Sequence, residues 1–216
     1  MCSFPFCATI AGGLRAWRTF QNNVELGGKN PRPYTCGSKM KNVFFPNFAV
    51  ASVLELGVDR LRAIGAKALL LDVDCTLKEY QKQEPEPEII QWLRSLEDSG
   101  FRLCLLSNGV GRRISRVATA LSLPFVAKAC KPFPRGVRKA TRLLGVEPNE
   151  TALVGDQIFA DILAGNLAGA TTILVKPIKP EQERWFTRIK RPPESIVVKS
   201  FWKKCPDGGW SGISQN

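Results

Sequence analysis

From Lys67 onward, short apolar runs alternate with segments in which apolar residues recur every three or four positions. Ala68–Leu71 is a run that suits a strand buried on both faces, and it predicts a strand over Ala68–Asp72. A helix follows from about Pro87 to Ser99, with Ile89, Ile90, Leu93 and Leu96 on one face and Gly100 as its stop. Strands at Phe101–Leu106, Phe125–Ala127, Thr151–Val154 and Thr171–Val175 alternate with helices at about 112–121, 134–144 and 161–167. Alternation of this kind predicts an α/β fold: a Rossmann-like three-layer sandwich around a central parallel five-stranded sheet. Upstream, Phe45, Phe48, Val53, Leu54, Leu56 and Leu61 give a partly helical lead-in with an apolar face. That face can pack on the sheet or dock on a membrane surface.

Residues 1–40 hold glycine pairs, asparagines and Pro31-Arg-Pro33 without any sustained period, and are expected to be disordered or non-native to the domain. Their Arg and Lys stand against a single acid, Glu25, which has some likeness to a transit peptide, while Met40 is an alternative start. The expected division is residues 1–40 as an extension, 41–204 as the folded domain, and 205–216 as a flexible tail.

Composition changes the picture in two ways. The chain carries 31 Lys and Arg against 19 Asp and Glu, a net charge of +12, which points to anionic partners. It has no histidine, so His triads, His-ligated zinc and His general bases are excluded. Seven cysteines without a C-x-x-C pair indicate neither a disulfide framework nor a zinc site, and a reducing cytoplasm fits them best. No apolar run approaches the length of a membrane span.

The candidate chemistry sits where the predicted strands end. Asp72, Asp74 and Thr76 follow the first, Ser107 the second, Lys131 the third, and Gly155-Asp156 with Asp161 the fourth. One acid pair past a strand can be a solvated loop. Four polar signals at successive carboxyl ends mark the edge where open α/β sheets hold ligands. Asp72, Asp156 and the backbone carbonyl of Asp74 offer hard oxygens for an octahedral Mg2+. Asp72 can attack phosphorus, Asp74 can move the proton, and Ser107 and Lys131 can hold phosphoryl oxygens. Asp161 can hold a metal-bound water or the lysine, or simply cap its helix.

These motifs resemble the haloacid-dehalogenase-like superfamily of aspartyl-phosphate phosphatases, and more closely its subfamily IIIA, YqeG-like branch. The likeness runs through Leu71-Asp-Val-Asp-Cys-Thr-Leu77, Leu105-Leu-Ser-Asn108, Ala127-Lys-Ala-Cys-Lys-Pro132 and Val154-Gly-Asp-Gln-Ile-Phe-Ala-Asp-Ile-Leu-Ala-Gly-Asn166. It covers about residues 41–198. It implies catalytic Asp72, Asp74 and Lys131, substrate contacts from Thr76, Ser107 and Asn108, metal held by Asp72, Asp74 and Asp156, and Asp161 supporting them. Cys75 stands where this branch usually has Asn or Glu, and Lys78-Glu-Tyr80 where a more apolar continuation is usual.

Larger relatives insert a cap domain after the first or second strand. Here 34 residues separate Asp72 from Ser107 and 23 separate Ser107 from Lys131, enough for one crossover each, so a capless core is expected. An open site suits a bulky phosphorylated substrate. The wider relatives include phosphatidylglycerophosphate phosphatases, which implies an anionic lipid phosphate and peripheral contact with an anionic membrane. A nucleic-acid end is the alternative substrate, and a non-catalytic basic interaction protein the alternative role. From Arg112 to Arg142 there are nine basic residues and no acid, either a solvated surface or a field that steers a polyanion. The tail interleaves Trp185, Phe186, Phe201 and Trp202 with Arg184, Arg188, Lys190, Arg191, Lys203 and Lys204. That mixture fits a membrane interface, single-stranded nucleic acid or packing on the sheet.

Overall fold

The computed structural model describes residues 43–182 and 191–209. The extension 1–40, Arg184, Trp185, Phe186, Arg188, Lys190 and the end of the tail lie outside the described residues. Six parallel strands form one sheet: β1 (Phe48–Val50), β2 (Ala68–Leu71), β3 (Arg102–Leu106), β4 (Phe125–Val126), β5 (Thr151–Gly155) and β6 (Thr171–Val175), in the order β1-β6-β5-β2-β3-β4. The order reverses beside β2, which pairs with β3 on one side and β5 on the other, so a ligand crevice opens at its carboxyl end.

The expected five strands are therefore one short. The sixth, Phe48–Val50, lies within the lead-in read as partly helical. It adds to β6 at the edge, held there because Asn47 and Thr172 exchange backbone and side-chain hydrogen bonds. The rest of the lead-in is helical, as a 3-10 turn at Val53–Glu55 and then α1 (Val58–Ala63). Its apolar face is buried on the sheet through Val53, Leu56 and Leu61, and the Trp92 indole N–H donates to the Leu56 carbonyl at 2.9 Å. Val53, Leu56 and Leu61 therefore take the packing role, while Leu54 of the same run is exposed.

Helices cover both faces. Leu69 and Leu71 of β2 point into one core layer with α1, α2 (Pro87–Asp98) and α3 (Gly111–Leu121). Leu70, between them, points the other way, towards α4 (Arg135–Leu144) and α5 (Leu163–Ala168). This alternation, with every residue of β2 buried, is why the strand reads as a continuous apolar run. Each of these leucines contributes roughly 1.5–3 kcal/mol by leaving water. A third cluster seats the last helix, α6 (Arg191–Lys204), through Val198 and Phe201 against Ala49, Ile158, Ile162 and Leu174. Beyond α6 the Ala49 N–H donates to the Gly208 carbonyl at 2.9 Å, so the chain still borders β1 there. The β2–β3 and β3–β4 crossovers are single helices, α2 and α3, so the core is capless among the described residues.

Candidate active site

At the carboxyl edge, β2 ends on Asp72, whose backbone N–H donates to the Val154 carbonyl of β5 at 3.0 Å. Its side chain is buried, and its Oδ1 accepts from Lys131 Nζ at 2.6 Å. Lys131 Nζ also donates to Asp161 Oδ1 at 2.6 Å and to the Leu106 carbonyl at 2.9 Å, so all its hydrogens have acceptors. Asn108 fixes the lysine from behind. Its Nδ2 donates to the Lys131 carbonyl at 2.9 Å, and its Oδ1 accepts from the Lys131 N–H at 2.8 Å. Lys128 and Cys130, in the loop leading to Lys131, both have positive φ, and backbone held in that region is common around functional groups.

Asp156 follows β5 and is also buried. Thr76 Oγ1 donates to its Oδ1 at 3.2 Å, and Arg191 of α6 bonds its Oδ2 and, at 2.9 Å, its backbone carbonyl. Five residues on, Asp161 lies inside a π-helical turn, Ile158–Ile162, that leads into α5. Such turns are frequent at functional sites. Of the roles the sequence left open, Asp161 takes the lysine through Oδ1, while its Oδ2 accepts the Gln157 N–H at 3.1 Å. Gly155 makes room for it, since a Cβ there would lie 2.3 Å from Asp161 Cγ.

Carboxylate oxygens of Asp72, Asp156 and Asp161 all lie within 4.8 Å of one another. Three buried carboxylates face two protein cations, Lys131 and Arg191, so the cluster keeps an excess of negative charge. Burial, with Asp161 and Asp156 nearby, pushes the Asp72 carboxyl above the usual range, against the pull of Lys131. For Lys131, burial alone would favour the neutral amine, but Asp161 and Asp72 outweigh it and hold the ammonium. Hard oxygens with surplus negative charge are the donor set a small divalent cation needs.

Asp74 points elsewhere, towards the mouth. Arg113 of α3 grips both its oxygens, with Nη1 to Oδ1 at 2.7 Å, and buried Lys78 Nζ reaches Oδ1 at 2.9 Å. Burial raises the Asp74 carboxyl, but these two cations prevail and hold it below the usual range, in the base form. The Arg113 guanidinium also lies 5.2 Å from the centre of the Tyr80 ring. Ser107 is buried at the end of β3, and its Oγ accepts the Gly109 N–H at 3.0 Å.

The structure thus gathers the carboxylates of Asp72, Asp156 and Asp161, with Lys131 bonded to Asp72 and Asp161, Thr76 bonded to Asp156, and Asn108 behind the lysine. Sequence reasoning missed the roles of Arg113, Lys78 and Arg191. Arg113 falls in the basic run from Arg112 to Arg142, Arg191 in the basic and aromatic tail, and Lys78 only marks a departure from the usual apolar continuation. A lysine four residues after Asp74 was the available signal. A surface recess of about 350 Å3, lined by Arg62, Lys67, Arg102 and Glu150 among others, lies at the amino end of β3, opposite this chemistry.

A parallel sheet that collects three buried aspartates and a lysine at its carboxyl edge is an α/β fold with a charged site at its switch point. The chain belongs to the haloacid dehalogenase-like hydrolase family, whose model matches residues 37–169. It is 28% identical over 165 residues to the probable phosphatase YqeG of Bacillus subtilis, covering 76% of this chain and 95% of that protein. It is also 26% identical over 171 residues to a chloroplastic phosphatidylglycerophosphate phosphatase 1 of Chlamydomonas reinhardtii, covering 75% of this chain and 62% of that one. Among solved structures, the cobalt-bound deoxy-D-mannose-octulosonate 8-phosphate phosphatase of Haemophilus influenzae aligns at 14% identity with a TM-score of 0.45, over 68% of this chain and 95% of its own. The chain is a phosphatase of this family.

Proposed function

We propose that this phosphatase is a Mg2+-dependent phosphomonoester hydrolase that works through an aspartyl-phosphate on Asp72. Its substrate is a bulky anionic phosphate, with phosphatidylglycerophosphate the favoured candidate. The observation that carries the reading is the pinning of Lys131 Nζ between Asp72 Oδ1 and Asp161 Oδ1. That contact fixes the nucleophilic carboxylate at the sheet edge and places a permanent positive charge beside it.

Asp72 attacks phosphorus, the bond to the leaving oxygen breaks, and Asp74 supplies the proton that the leaving alkoxide needs. Water then attacks the same phosphorus, its proton goes to Asp74, and the Asp72–phosphorus bond breaks to release phosphate. The grip of Arg113 and Lys78 gives Asp74 the base form suited to the second displacement. The proton that Asp74 takes from water in one cycle is the one it gives to the leaving alkoxide in the next. Lys131 and the Ser107 hydroxyl stabilise charge on the phosphoryl oxygens. Oxygens of Asp72 and Asp156, with the Asp74 carbonyl, would hold Mg2+, and Asp161 would support that shell. Bound there, the cation offsets repulsion between the carboxylate and the phosphate.

The lipid assignment is supported by the capless crossovers, the net charge of +12, and the likeness to a phosphatidylglycerophosphate phosphatase. A turnover panel with and without Mg2+ tests it, using phosphatidylglycerophosphate, a 3′-phosphorylated oligonucleotide, sugar phosphates and nucleotides. Preference for the lipid is expected. Preference for the oligonucleotide replaces the substrate, and turnover of nothing removes the enzymatic reading.

A further inference from the structure

We propose that the mouth of the active site is itself a membrane-docking face, in which Val110 and Phe133 enter an anionic lipid surface while surrounding cations hold its headgroups. The inference rests on the lipid-phosphate reading above and says how such a substrate reaches a buried Asp72.

Two large apolar side chains stand out at this edge, Val110 at 65% exposure and Phe133 at 64%. Each lies two residues beyond a site residue, Val110 after Asn108 and Phe133 after Lys131. Their loops are stitched together. Asn108 bonds the Lys131 backbone twice, the Lys128 N–H donates to the Gly109 carbonyl at 3.3 Å, and the Ala129 N–H donates to the Ser107 carbonyl at 3.0 Å. Phe133 is also closed back onto its own loop, its N–H donating to the Cys130 carbonyl at 2.9 Å. The two apolar side chains therefore project from one braced ledge, and the ledge is anchored to the catalytic lysine.

The surroundings match one kind of partner. Of the nine basic residues between Arg112 and Arg142, Arg113 and Lys131 turn into the site, and the remaining seven are exposed. Arg112, Lys128 and Arg135 lie within two residues of Val110 or Phe133, or on the loop between Ala127 and Lys131, and no acid interrupts the run. Apolar side chains that project among cations fit a surface with an anionic plane over an apolar interior, which is a bilayer containing acidic lipids. Single-stranded nucleic acid meets the charge but calls for a series of aromatic platforms, and this ledge offers one aromatic and one aliphatic side chain. Among the described residues no cap domain is inserted in the crossovers beside the ledge, so a phosphate at the bilayer surface meets the site without leaving the membrane.

The test uses the full chain, wild type and Val110→Asp/Phe133→Asp. Both side chains are exposed and outside the bonded cluster, so the pair should melt like wild type and turn over a soluble aryl phosphate at the same rate. Cosedimentation is measured with neutral phosphatidylcholine vesicles and with vesicles that also contain phosphatidylglycerol. Wild type should bind the anionic vesicles, with affinity that falls as salt rises, and the double variant should lose at least about tenfold in affinity. An Arg112→Glu/Lys128→Glu/Arg135→Glu variant should lose a similar factor. Equal binding to neutral vesicles, binding that survives in the double variant, or binding to single-stranded DNA in place of vesicles each overturns the docking face. Aryl-phosphate turnover separates the two failures. If it persists without vesicle binding, docking is wrong and the phosphatase chemistry stands. If vesicle binding is as expected and turnover is absent under Mg2+, the chemistry is wrong and the docking face stands.

Discussion

Replacing Lys131 with methionine probes the site through stability as well as through rate. The substitution nearly preserves volume while deleting an ammonium whose side chain is 3% exposed. It leaves Asp72 and Asp161 buried without their shared cation, and removes the donor from the Leu106 carbonyl. Breaking a buried ion pair from one side costs about 3–5 kcal/mol, because the orphaned charge stays desolvated. For a chain of this size each kcal/mol lowers the melting temperature by about 2–4 °C, so a fall of roughly 6–20 °C is expected. The pH dependence carries the signature. Lys131 is what pulls the raised Asp72 carboxyl down, so without it protonation of Asp72 favours folding further and the deficit should shrink as pH falls towards 5. In wild type the ammonium is held above its ordinary value, so its contribution is complete below about 10.4 and is lost only at more alkaline pH. Calorimetric melts of both proteins at several pH values, with chelator present, measure this directly. A variant that melts within about 1 °C of wild type at neutral pH would refute the buried-pair reasoning.

Gly155→Ala should lose about 1–3 kcal/mol and most activity, because its Cβ would meet Asp161 Cγ at 2.3 Å; Gly111→Ala, with nothing within 4 Å of its Cβ, is the control that chemical denaturation should find unharmed. Glu194 lies buried in α6, accepting the Phe159 N–H at 3.0 Å, and burial pushes it up to about 7 against the opposing pull of Arg191. A carboxyl raised in the folded state contributes stability that is complete below its unfolded value and is lost as pH rises towards 7. Metal-free wild type should therefore lose on the order of 3 kcal/mol between pH 4.5 and 8 from this group, and Glu194→Gln should remove that slope in melts across the range.

Much of this arrangement was legible because the central strands carry short apolar runs and three of the helices between them stop at Gly100, Gly145 and Gly169, all with positive φ. The shared carboxyl edge followed from parallel topology, so Asp72, Lys131, Asp156 and Asp161 could be brought together before any distance was known. What stayed hidden depends on long-range pairing. β1 is three residues long, and its place is set by Asn47 on Thr172 and by Asn166, whose amide donates to the Val43 and Phe45 carbonyls. Nothing local in Phe48–Val50 announces those partners. Arg113 and Arg191 look like their neighbours in composition. Only the fold decides that one meets Asp74 and the other Asp156. The π-helical turn that aims Asp161 likewise has no periodic signal of its own.

The central claim is that Asp72 becomes phosphorylated during turnover. Acid-quenched reactions with an aryl phosphate and Mg2+, followed by peptide mass spectrometry, test it most directly. Asp74→Asn should slow release and let the intermediate accumulate, since a good leaving group needs no proton whereas the attacking water must lose one. The account predicts a phosphoryl group on the peptide containing Asp72, labile to hydroxylamine and absent in Asp72→Asn. Turnover that continues in Asp72→Asn, or a phosphoryl group carried by any other residue, would contradict it.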